Sequence, residues 1–559
     1  MTIEGAQRRY GRTGPIPARI LSQIEEELRI IAEVGYEEYF LLVWDILEDC
    51  KLRGIEWITR GSAADSLVCY CIGISDVCPI RFELYFRRFL NRDRMVLNKL
   101  PDIDIDFAAD RKDDLVDLIF AKYGEHAAIV GGFNTFRGRS AFADIAKVMG
   151  VSEYQVRRMT ERIPWTDASH VEEAVAYSQE CRDGTFEEDP YKTALRLAHR
   201  LDGFPRHPKM HPCGVVLSQL PVIHLSPVFT SAKGYPTTHF DMEQVEAIGL
   251  VKIDILAQAG LAVMRDKKEL LRKRGVIVDL KALEPWEDKE VWRMIASGNA
   301  RGVHHIESPA MCTLERMVNV NNIDDLIAIV SVIRPGAANS MRKDSFANRA
   351  QGIEPVEYAH PSLEPVLRST YGVIAYEEHI LQICEAFAGM TAGRADFLRR
   401  ALVKIQPEKV QAMLGEFVSA AKKRGRTDAE IAAVWKLLIG FMGYAFCRAH
   451  STAYGVEAYE AAHLKRYYPA EFLSCVLTHG KGFYSRLVYS LECRRLGIGF
   501  LLPDVNLSLD AYFPEGGSIR VPLCQISGIS AATLERWRAG KPFESLRDFY
   551  LRVRSVVGA

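Results

Sequence analysis

The chain has 559 residues, enough for about three or four domains, and its 48% hydrophobic and 26% charged side chains are typical of a globular protein with several cores. Its net charge of −1 argues against non-specific coating of nucleic acid, which requires an excess of Lys and Arg. The longest apolar run, Leu326 to Ile333, is far shorter than the roughly 20 residues that cross a bilayer. No apolar secretory segment follows the first residues. We therefore expect a cytoplasmic protein without membrane contact.

The first predicted elements are scaffold helices within residues 16–54, where apolar residues recur at helical spacing. A short strand is predicted at LPDIDIDF, residues 100–107, because apolar residues alternate there with Asp102, Asp104 and Asp106. We expect the three aspartates to lie on a face that does not belong to the core.

The middle of the chain changes pattern twice. From about residue 134 to 209 it is helical and polar, and it ends in FPRHPKMHP, whose prolines we expect to interrupt regular structure. A second alternating strand is predicted at GLVKIDIL, residues 249–256, with Lys252 and Asp254 on its polar face. Residues 261 to about 500 are almost entirely helical in period.

The two predicted strands carry the residues that two-metal phosphoryl transfer needs. That chemistry uses two divalent ions roughly 4 Å apart, one lowering the pKa of the attacking oxygen and one neutralising the leaving pyrophosphate. Magnesium prefers carboxylate oxygens, and aspartates two residues apart on a strand point the same way. Asp102, Asp104 and Asp106 meet this requirement, and Asp254 on the second strand is the candidate that completes the cage. Lys252 beside it could hold a phosphate.

The alternative interpretation of the first strand is an exposed polar face of an antiparallel sheet, which alternating patterns commonly form. Like charges at positions i and i+2 repel, however, and no Lys or Thr within the strand relieves the repulsion. A bound cation is the simplest remedy, and the metal interpretation is therefore favoured.

From about residue 15 to 510 the chain resembles the bacterial DNA polymerase III alpha subunit. Nine motifs stand in the order of that family, and the set is specific although each motif alone is weak. The motifs are RGSAADSLVCYCIGISD (60–76), RRFLNRDR followed by PDIDIDF, HPCGVVLS (211–218), GLVKIDIL, RPGAANS, TYGVIAYEEHILQI, ADFLRRALVK, GYAFCRAHSTAY and YYPAEFLSCVL.

The resemblance implies a predominantly helical α+β fold, with a polymerase-beta-like nucleotidyltransferase palm, a helical thumb and large helical fingers. The implied boundaries are 1–133 and 210–260 for the two parts of the palm, 134–209 for the thumb, 261–508 for the fingers and 509–559 for a truncated helix-hairpin-helix-like module.

The resemblance also implies the site residues. It places the ligands of two Mg²⁺ ions on Asp102, Asp104 and Asp254, with Asp106 just outside the ligand set. The nucleotide and phosphate contacts of the family map to Gly61, Ser62, Arg88, Lys252, Arg399, Arg400, Lys404 and His450.

Some of these assignments have structural alternatives. Tandem arginines such as Arg399 and Arg400 often lie in solvent or pair with acids, here Asp396. A lone histidine such as His450 is often a hydrogen-bonded structural residue.

The chain departs from the family pattern in places. Thr59 and Asp65 stand where the phosphate loop commonly has glycine, which could block close approach of the backbone and adds a negative side chain near the phosphates. The phosphoesterase domain that usually precedes the palm and the clamp-binding regions that usually follow the fingers have no counterpart in this sequence. We expect a separately encoded chain to supply them.

These observations predict a template-directed DNA polymerase that acts in replication on primer-template DNA and deoxynucleoside triphosphates. Two alternatives remain open, an error-prone translesion paralogue and a noncatalytic DNA-binding or assembly fragment of a split alpha subunit. A metal-dependent nuclease ranks last, because it has no need of tandem arginines on a distant helix.

Overall fold

The computed structural model describes residues 1–11, 14–90, 102–333, 340–441 and 446–553. Within them the chain is mainly helical with a smaller amount of mixed β-structure, which confirms the predicted α+β class. Parts of three motifs lie outside the described residues, namely NRDR at 91–94, RPGAAN at 334–339 and GYA at 443–445.

The chain divides into two compact units. The larger contains Met1–Val116 and Asp254–Ala559, and the smaller contains Asp117–Ile253. The boundaries inferred for palm, thumb and fingers are a finer division than this one and stay a prediction.

The described strands belong to three groups. They are β1 (Trp57–Arg60), β2 (Asp104–Ala108), β3 (Ala127–Thr135), β4 (Pro205–Leu217), β5 (Val228–Thr230), β6 (Pro236–Thr238), β7 (Val251–Gln258), β8 (Phe500–Leu501), β9 (Phe513–Glu515) and β10 (Ser518–Arg520). In the larger unit β2 lies between β1, to which it is antiparallel, and β7, to which it is parallel. A separate sheet has the order β8-β10-β9, and in the smaller unit the order is β4-β3-β6-β5.

The alternating patterns of the sequence explain β2 and β7. Ile103, Ile105 and Phe107 are at most 2% exposed, as the predicted apolar face requires. The polar face is not simply solvated, however. Asp106 is 2% exposed, so the expectation that all three aspartates lie outside the core is wrong for this residue. A buried carboxylate needs partners, and the structure supplies two of them, described below.

Helices make up most of the larger unit. Their bounds are Thr2–Tyr10, Ala18–Glu33, Glu37–Leu52, Leu67–Ile72, Phe86–Phe89, Ala259–Lys273, Lys289–Ala296, Pro309–Val318, Ile323–Val332, Ser340–Ala350, Glu364–Leu367, Glu377–Ile383, Ala392–Val403, Pro407–Lys423, Asp428–Ile439, Arg448–Tyr467, Pro469–His479, Arg486–Arg495, Ala531–Gly540 and Leu546–Val553. A further helix, Lys112–Tyr123, carries the chain from the larger unit into the smaller one.

The apolar run near residue 326 is a buried helix. Ile323–Val332 begins at Asn322, whose side chain accepts a hydrogen bond from the backbone N–H of Asp325. Its apolar residues pack into a core that also contains Tyr459 and Phe472. In the described part of the chain, no helix combines the length and the apolar character that crossing a bilayer demands.

The smaller unit contains helices Gly138–Val148, Glu153–Arg162, Val171–Tyr177, Tyr191–Ala198 and Met242–Ala247. The prediction that FPRHPKMHP breaks regular structure is wrong, because most of it belongs to β4, which pairs antiparallel with β3. Pro205 and Pro208 lie opposite Thr135 and Phe133, and Pro212 lies where the register shifts. Proline has a backbone φ that an extended strand tolerates, and each one costs the ladder only a single N–H donor.

Candidate functional site

Two of the three predicted metal ligands face each other across neighbouring strands. Asp104 of β2 and Asp254 of β7 are directly paired in the parallel ladder, so their side chains emerge on the same face of the sheet. Asp102 lies two residues before Asp104, just ahead of β2, and all three side chains are half-buried. Among the described residues, however, no group of three His, Cys, Asp or Glu side chains is arranged to hold a metal ion. The structure therefore brings Asp104 and Asp254 together without assembling a complete three-carboxylate cage.

The loop after β1 packs directly on Asp104. Gly61 has a φ of +69°, and a Cβ at this position would lie 2.8 Å from Asp104 Oδ2. Both facts require glycine here, because a side chain would be strained and would collide with the carboxylate. Ser62 follows in the short 3₁₀ helix Gly61–Asp65 and is half-buried.

The buried Asp106 is held by two residues that the sequence interpretation did not assign. Arg60 Nε donates to Asp106 Oδ1 at 3.1 Å, and the Tyr454 hydroxyl donates to Asp106 Oδ2 at 2.8 Å. Burial raises the pKa of Asp106, and the Arg60 charge and the Tyr454 hydrogen bond oppose that rise. Burial lowers the pKa of Arg60, but Tyr454, Asp106 and Asp104 together raise it above its usual value. Arg60 is therefore a fixed cation beside the aspartates of β2.

His450 is packed rather than free. It is 5% exposed, its ring stacks on Phe446 with centroids 4.6 Å apart, and it lies 4.3 Å from the ring of Tyr454. Burial, together with the charge of Arg60, lowers the pKa of His450 to about 3. The imidazole is therefore neutral near pH 7. Any phosphate contact it makes has to be a hydrogen bond and not an ion pair.

The predicted phosphate-binding arginines form a buried ion cluster. Arg88 Nη2 and Arg399 Nη1 each lie 2.6 Å from the same oxygen, Glu377 Oε2. Arg399 Nε donates to Asp396 Oδ1 at 2.8 Å, and Arg400 Nε donates to Asp396 Oδ2 at 2.9 Å. The pairing with Asp396 is the structural alternative considered for the tandem arginines. In this structure the arginines are paired with carboxylates of the chain itself.

The two predicted lysines lie in different surroundings. Lys252 is buried on β7, two residues before Asp254, at 5% exposure. Lys404 is exposed at the end of the Ala392–Val403 helix.

Thr59 and Asp65, the two residues that depart from the family pattern, are buried. The Thr59 hydroxyl donates to the Ile74 carbonyl, and Thr59 is 2% exposed. Asp65 has no exposed surface, and its burial, reinforced by the nearby charge of Glu378, raises its pKa well above the usual range. Burial and the charge of Glu378 thus oppose ionisation of Asp65, and its side chain adds no exposed charge to the loop.

Of these residues, Arg60 and Tyr454 are those that sequence reasoning missed. A signal existed for each. Arg60 immediately precedes Gly61, and Tyr454 lies one helical turn after His450, on the same face of the Arg448–Tyr467 helix.

Comparisons with known proteins agree on one family. The model described as "Bacterial DNA polymerase III alpha NTPase domain" matches residues 1–257, and the model described as "Bacterial DNA polymerase III alpha subunit finger domain" matches residues 260–425. A "Helix-hairpin-helix motif" model matches residues 497–558.

Individual relatives extend this agreement. The chain is 35% identical to an error-prone DNA polymerase of Symbiobacterium thermophilum over 100% of this chain and 53% of that protein. It is 33% identical to DNA polymerase III subunit alpha of Aquifex aeolicus over 95% of this chain and 48% of that protein. It is 32% identical to the same subunit of Bacillus subtilis over 99% of this chain and 49% of that protein.

The chain thus spans about half the length of the curated relatives it matches. The two alpha-subunit models follow one another along the chain and together match most of its residues. The matching order of motifs, models and relatives shows that the chain belongs to the family of the bacterial DNA polymerase III alpha subunit.

Proposed function

We propose that this chain is the polymerising part of a DNA-directed DNA polymerase, which adds deoxynucleotides to the 3′-hydroxyl of a primer on a DNA template in replication. The observation that carries the proposal is the direct pairing of Asp104 with Asp254 beneath the Gly61 loop. Two carboxylates at the same level of adjacent strands, with a backbone loop against one of them, suit the binding of a cation beside a phosphate.

Family membership implies a divalent metal, and we propose two Mg²⁺ ions held by Asp102, Asp104 and Asp254. The donor atoms suit Mg²⁺, because they are carboxylate oxygens and one oxygen of Asp254 is shielded from water, although the three carboxylates do not form a complete cage in this structure. Two adjacent carboxylates repel each other, and a cation relieves that repulsion. When bound, the ions would activate the primer hydroxyl and neutralise the leaving pyrophosphate.

The residues around the aspartates have proposed roles in positioning the nucleotide. The proposed contacts to the incoming nucleotide are Gly61, Ser62, Arg88, Lys252, Arg399, Arg400, Lys404 and His450. Arg60, fixed by Asp106, adds positive charge beside the carboxylates of β2. The proposed partners are primer-template DNA and deoxynucleoside triphosphates.

A second candidate within this class is an error-prone polymerase that acts on damaged templates. It is favoured by a relative that carries the name error-prone DNA polymerase and that matches this chain along its whole length. Counting errors in the extension products separates the two, since a translesion enzyme inserts wrong nucleotides more often and passes template lesions.

Primer extension by the purified chain tests the proposal. With Mg²⁺ and the four deoxynucleotides, we expect the wild type to lengthen an annealed primer and Asp104→Ala to leave it unchanged, because the variant lacks a proposed metal ligand. Binding of primer-template without extension would favour the assembly fragment. Shortening of the primer without nucleotides would favour a nuclease.

The close approach of Gly61 to Asp104 gives a separate prediction. Gly61→Ala and Gly54→Ala both place a Cβ at positive φ, +69° and +65°, and each is expected to cost about 1–2 kcal/mol of unfolding free energy. At Gly54 a Cβ meets nothing within 4 Å, whereas at Gly61 it collides with Asp104. We therefore expect only Gly61→Ala to weaken binding of Mn²⁺, used as a spectroscopic substitute for Mg²⁺.

Chemical denaturation and Mn²⁺ titration measure the two effects. Equal Mn²⁺ affinity in the two glycine variants would contradict a metal role for the Asp104 carboxylate.

A further inference from the structure

The ion cluster around Arg88 and Arg399 has no surplus of positive charge. The cluster contains as many carboxylates as guanidinium groups, namely those of Glu377, Glu378 and Asp396 against those of Arg88, Arg399 and Arg400. Glu378 joins it through Oε1, which lies 3.1 Å from Arg88 Nε. A triphosphate carries several negative charges, and it binds arginines only where these are not already neutralised. The cluster as it stands is therefore closed to a nucleotide.

The three carboxylates have different attachments. Asp396 lies on the same helix as Arg399 and Arg400, at positions i−3 and i−4, and it orients both guanidinium groups. Glu378 Oε2 accepts a hydrogen bond from the backbone N–H of Arg448 at 2.9 Å and so fixes the start of the Arg448–Tyr467 helix.

Glu377 differs from both, because its side chain joins the arginines of two separate elements. Arg88 lies on Phe86–Phe89 and Arg399 on Ala392–Val403, and both guanidinium groups converge at 2.6 Å on one oxygen of Glu377. Convergence of two arginines on one oxygen is also the way in which they bind a phosphate.

The carboxylate of Glu377 is charged in this position. Burial raises its pKa, but Arg399 and Arg88 outweigh burial and hold the pKa below the usual value. Its side chain is 7% exposed, and those of Arg88 and Arg399 are 12% and 9% exposed. A nucleotide therefore reaches these arginines only after the Glu377 contact opens.

We infer that Glu377 occupies the place of a nucleotide phosphate between Arg88 and Arg399, and that its carboxylate leaves the two arginines when a deoxynucleoside triphosphate binds. The inference rests on the proposed function, in which these arginines bind the triphosphate. Glu377 is accordingly a competing group that sets nucleotide affinity, while Asp396 is a positioning residue.

The test compares three variants for binding of dATP to the chain with primer-template whose primer ends in a dideoxynucleotide. Glu377→Gln removes the competing charge at nearly constant shape, and we expect about three- to tenfold tighter binding of dATP, because less of the free protein is held in the closed form. Asp396→Asn releases the orientation of Arg399 and Arg400, and we expect weaker binding. Glu385→Gln is the matched control, since Glu385 is another partly buried glutamate, and its carboxylate contacts the Tyr85 hydroxyl and Arg87. We expect it to bind dATP as the wild type does.

Glu377→Gln leaves Arg88 and Arg399 less well paired and is expected to lower stability, so the wild type supplies a second measurement. Addition of dATP is expected to increase amide hydrogen exchange in the Glu377–Ile383 segment, because the Glu377 side chain loses its contacts with Arg88 and Arg399. Unchanged or slower exchange there, or equal or weaker dATP binding by Glu377→Gln, would overturn the inference.

Primer extension by the wild type separates the two proposals. Extension together with unchanged nucleotide affinity in Glu377→Gln overturns the inference alone. Tighter dATP binding by Glu377→Gln without any extension overturns polymerase activity and supports the inference. Absence of both dATP binding and extension overturns both.

Discussion

Asp254→Asn is expected to abolish primer extension, with a loss of at least about a thousandfold in rate. The substitution keeps the size of the side chain and removes its charge. If the Asp254 carboxylate holds a metal ion beside Asp104, the loss of transition-state stabilisation is about 4 kcal/mol, which corresponds to about a thousandfold. Asp254 lies on β7 and is the proposed contribution of the second strand to the site.

The control for this variant is Asp113→Asn. Asp113 is an exposed aspartate in the first turn of the Lys112–Tyr123 helix, soon after β2, and it has no place in the proposed site. We expect full extension from Asp113→Asn and an unchanged unfolding curve for both variants. Rates are measured by single-turnover extension, and Mn²⁺ binding by electron paramagnetic resonance. Extension by Asp254→Asn at the wild-type rate would remove Asp254 from the metal site and leave the proposed mechanism without its second strand.

The sequence predicted the parts of this site that depend on local periodicity. Alternation of apolar residues with aspartates indicated both strands, and it correctly assigned Ile103, Ile105 and Phe107 to the buried face. Order along the chain could not predict that Asp104 and Asp254 share one level of a parallel ladder, because the register depends on packing between distant segments.

Local sequence patterns could not predict the partners of the charged residues, for the same reason. Asp106 and Tyr454 are separated by 348 positions, and Arg88 and Glu377 by 289. A basic cluster in the sequence does not say whether its charges face solvent or oppose buried acids. In the basic segment HLKRYY, residues 463–468, Lys465 is 1% exposed and is therefore a buried residue rather than a solvated one.

Glu492→Ala is expected to lower the unfolding free energy by about 3–5 kcal/mol, because it leaves the Lys465 ammonium buried without its counter-charge. Lys465 Nζ lies 2.7 Å from Glu492 Oε1, and it also donates to the carbonyl oxygens of Asn299 at 2.7 Å and Arg301 at 2.6 Å. The side chains of Lys465 and Glu492 are 1% and 0% exposed. Burial lowers the pKa of Lys465, but three oxygen acceptors around Nζ indicate that the charged ammonium is the folded form near pH 7.

The control is Glu269→Ala, which removes a carboxylate from an exposed pair with Arg272, and we expect no measurable loss of stability. Both variants are compared with the wild type by urea unfolding. A loss below about 1 kcal/mol for Glu492→Ala would mean that Lys465 is neutral in the folded protein, since only a buried charge carries the larger penalty.

The same pair predicts how the difference between wild type and Glu492→Ala changes with pH. Burial raises the pKa of Glu492, but Arg495 and Lys465 outweigh it and hold the pKa at about 2, against an ordinary value of 4.5. A carboxyl whose pKa is depressed by folding contributes its full stability above the unfolded value and loses that stability as the pH falls toward the folded value. The difference is therefore constant near neutral pH and shrinks between pH 4.5 and about 2. Because the helix that Lys465 anchors also carries His450 and Tyr454, loosening this pair is expected to reduce primer extension even though the pair lies outside the proposed site.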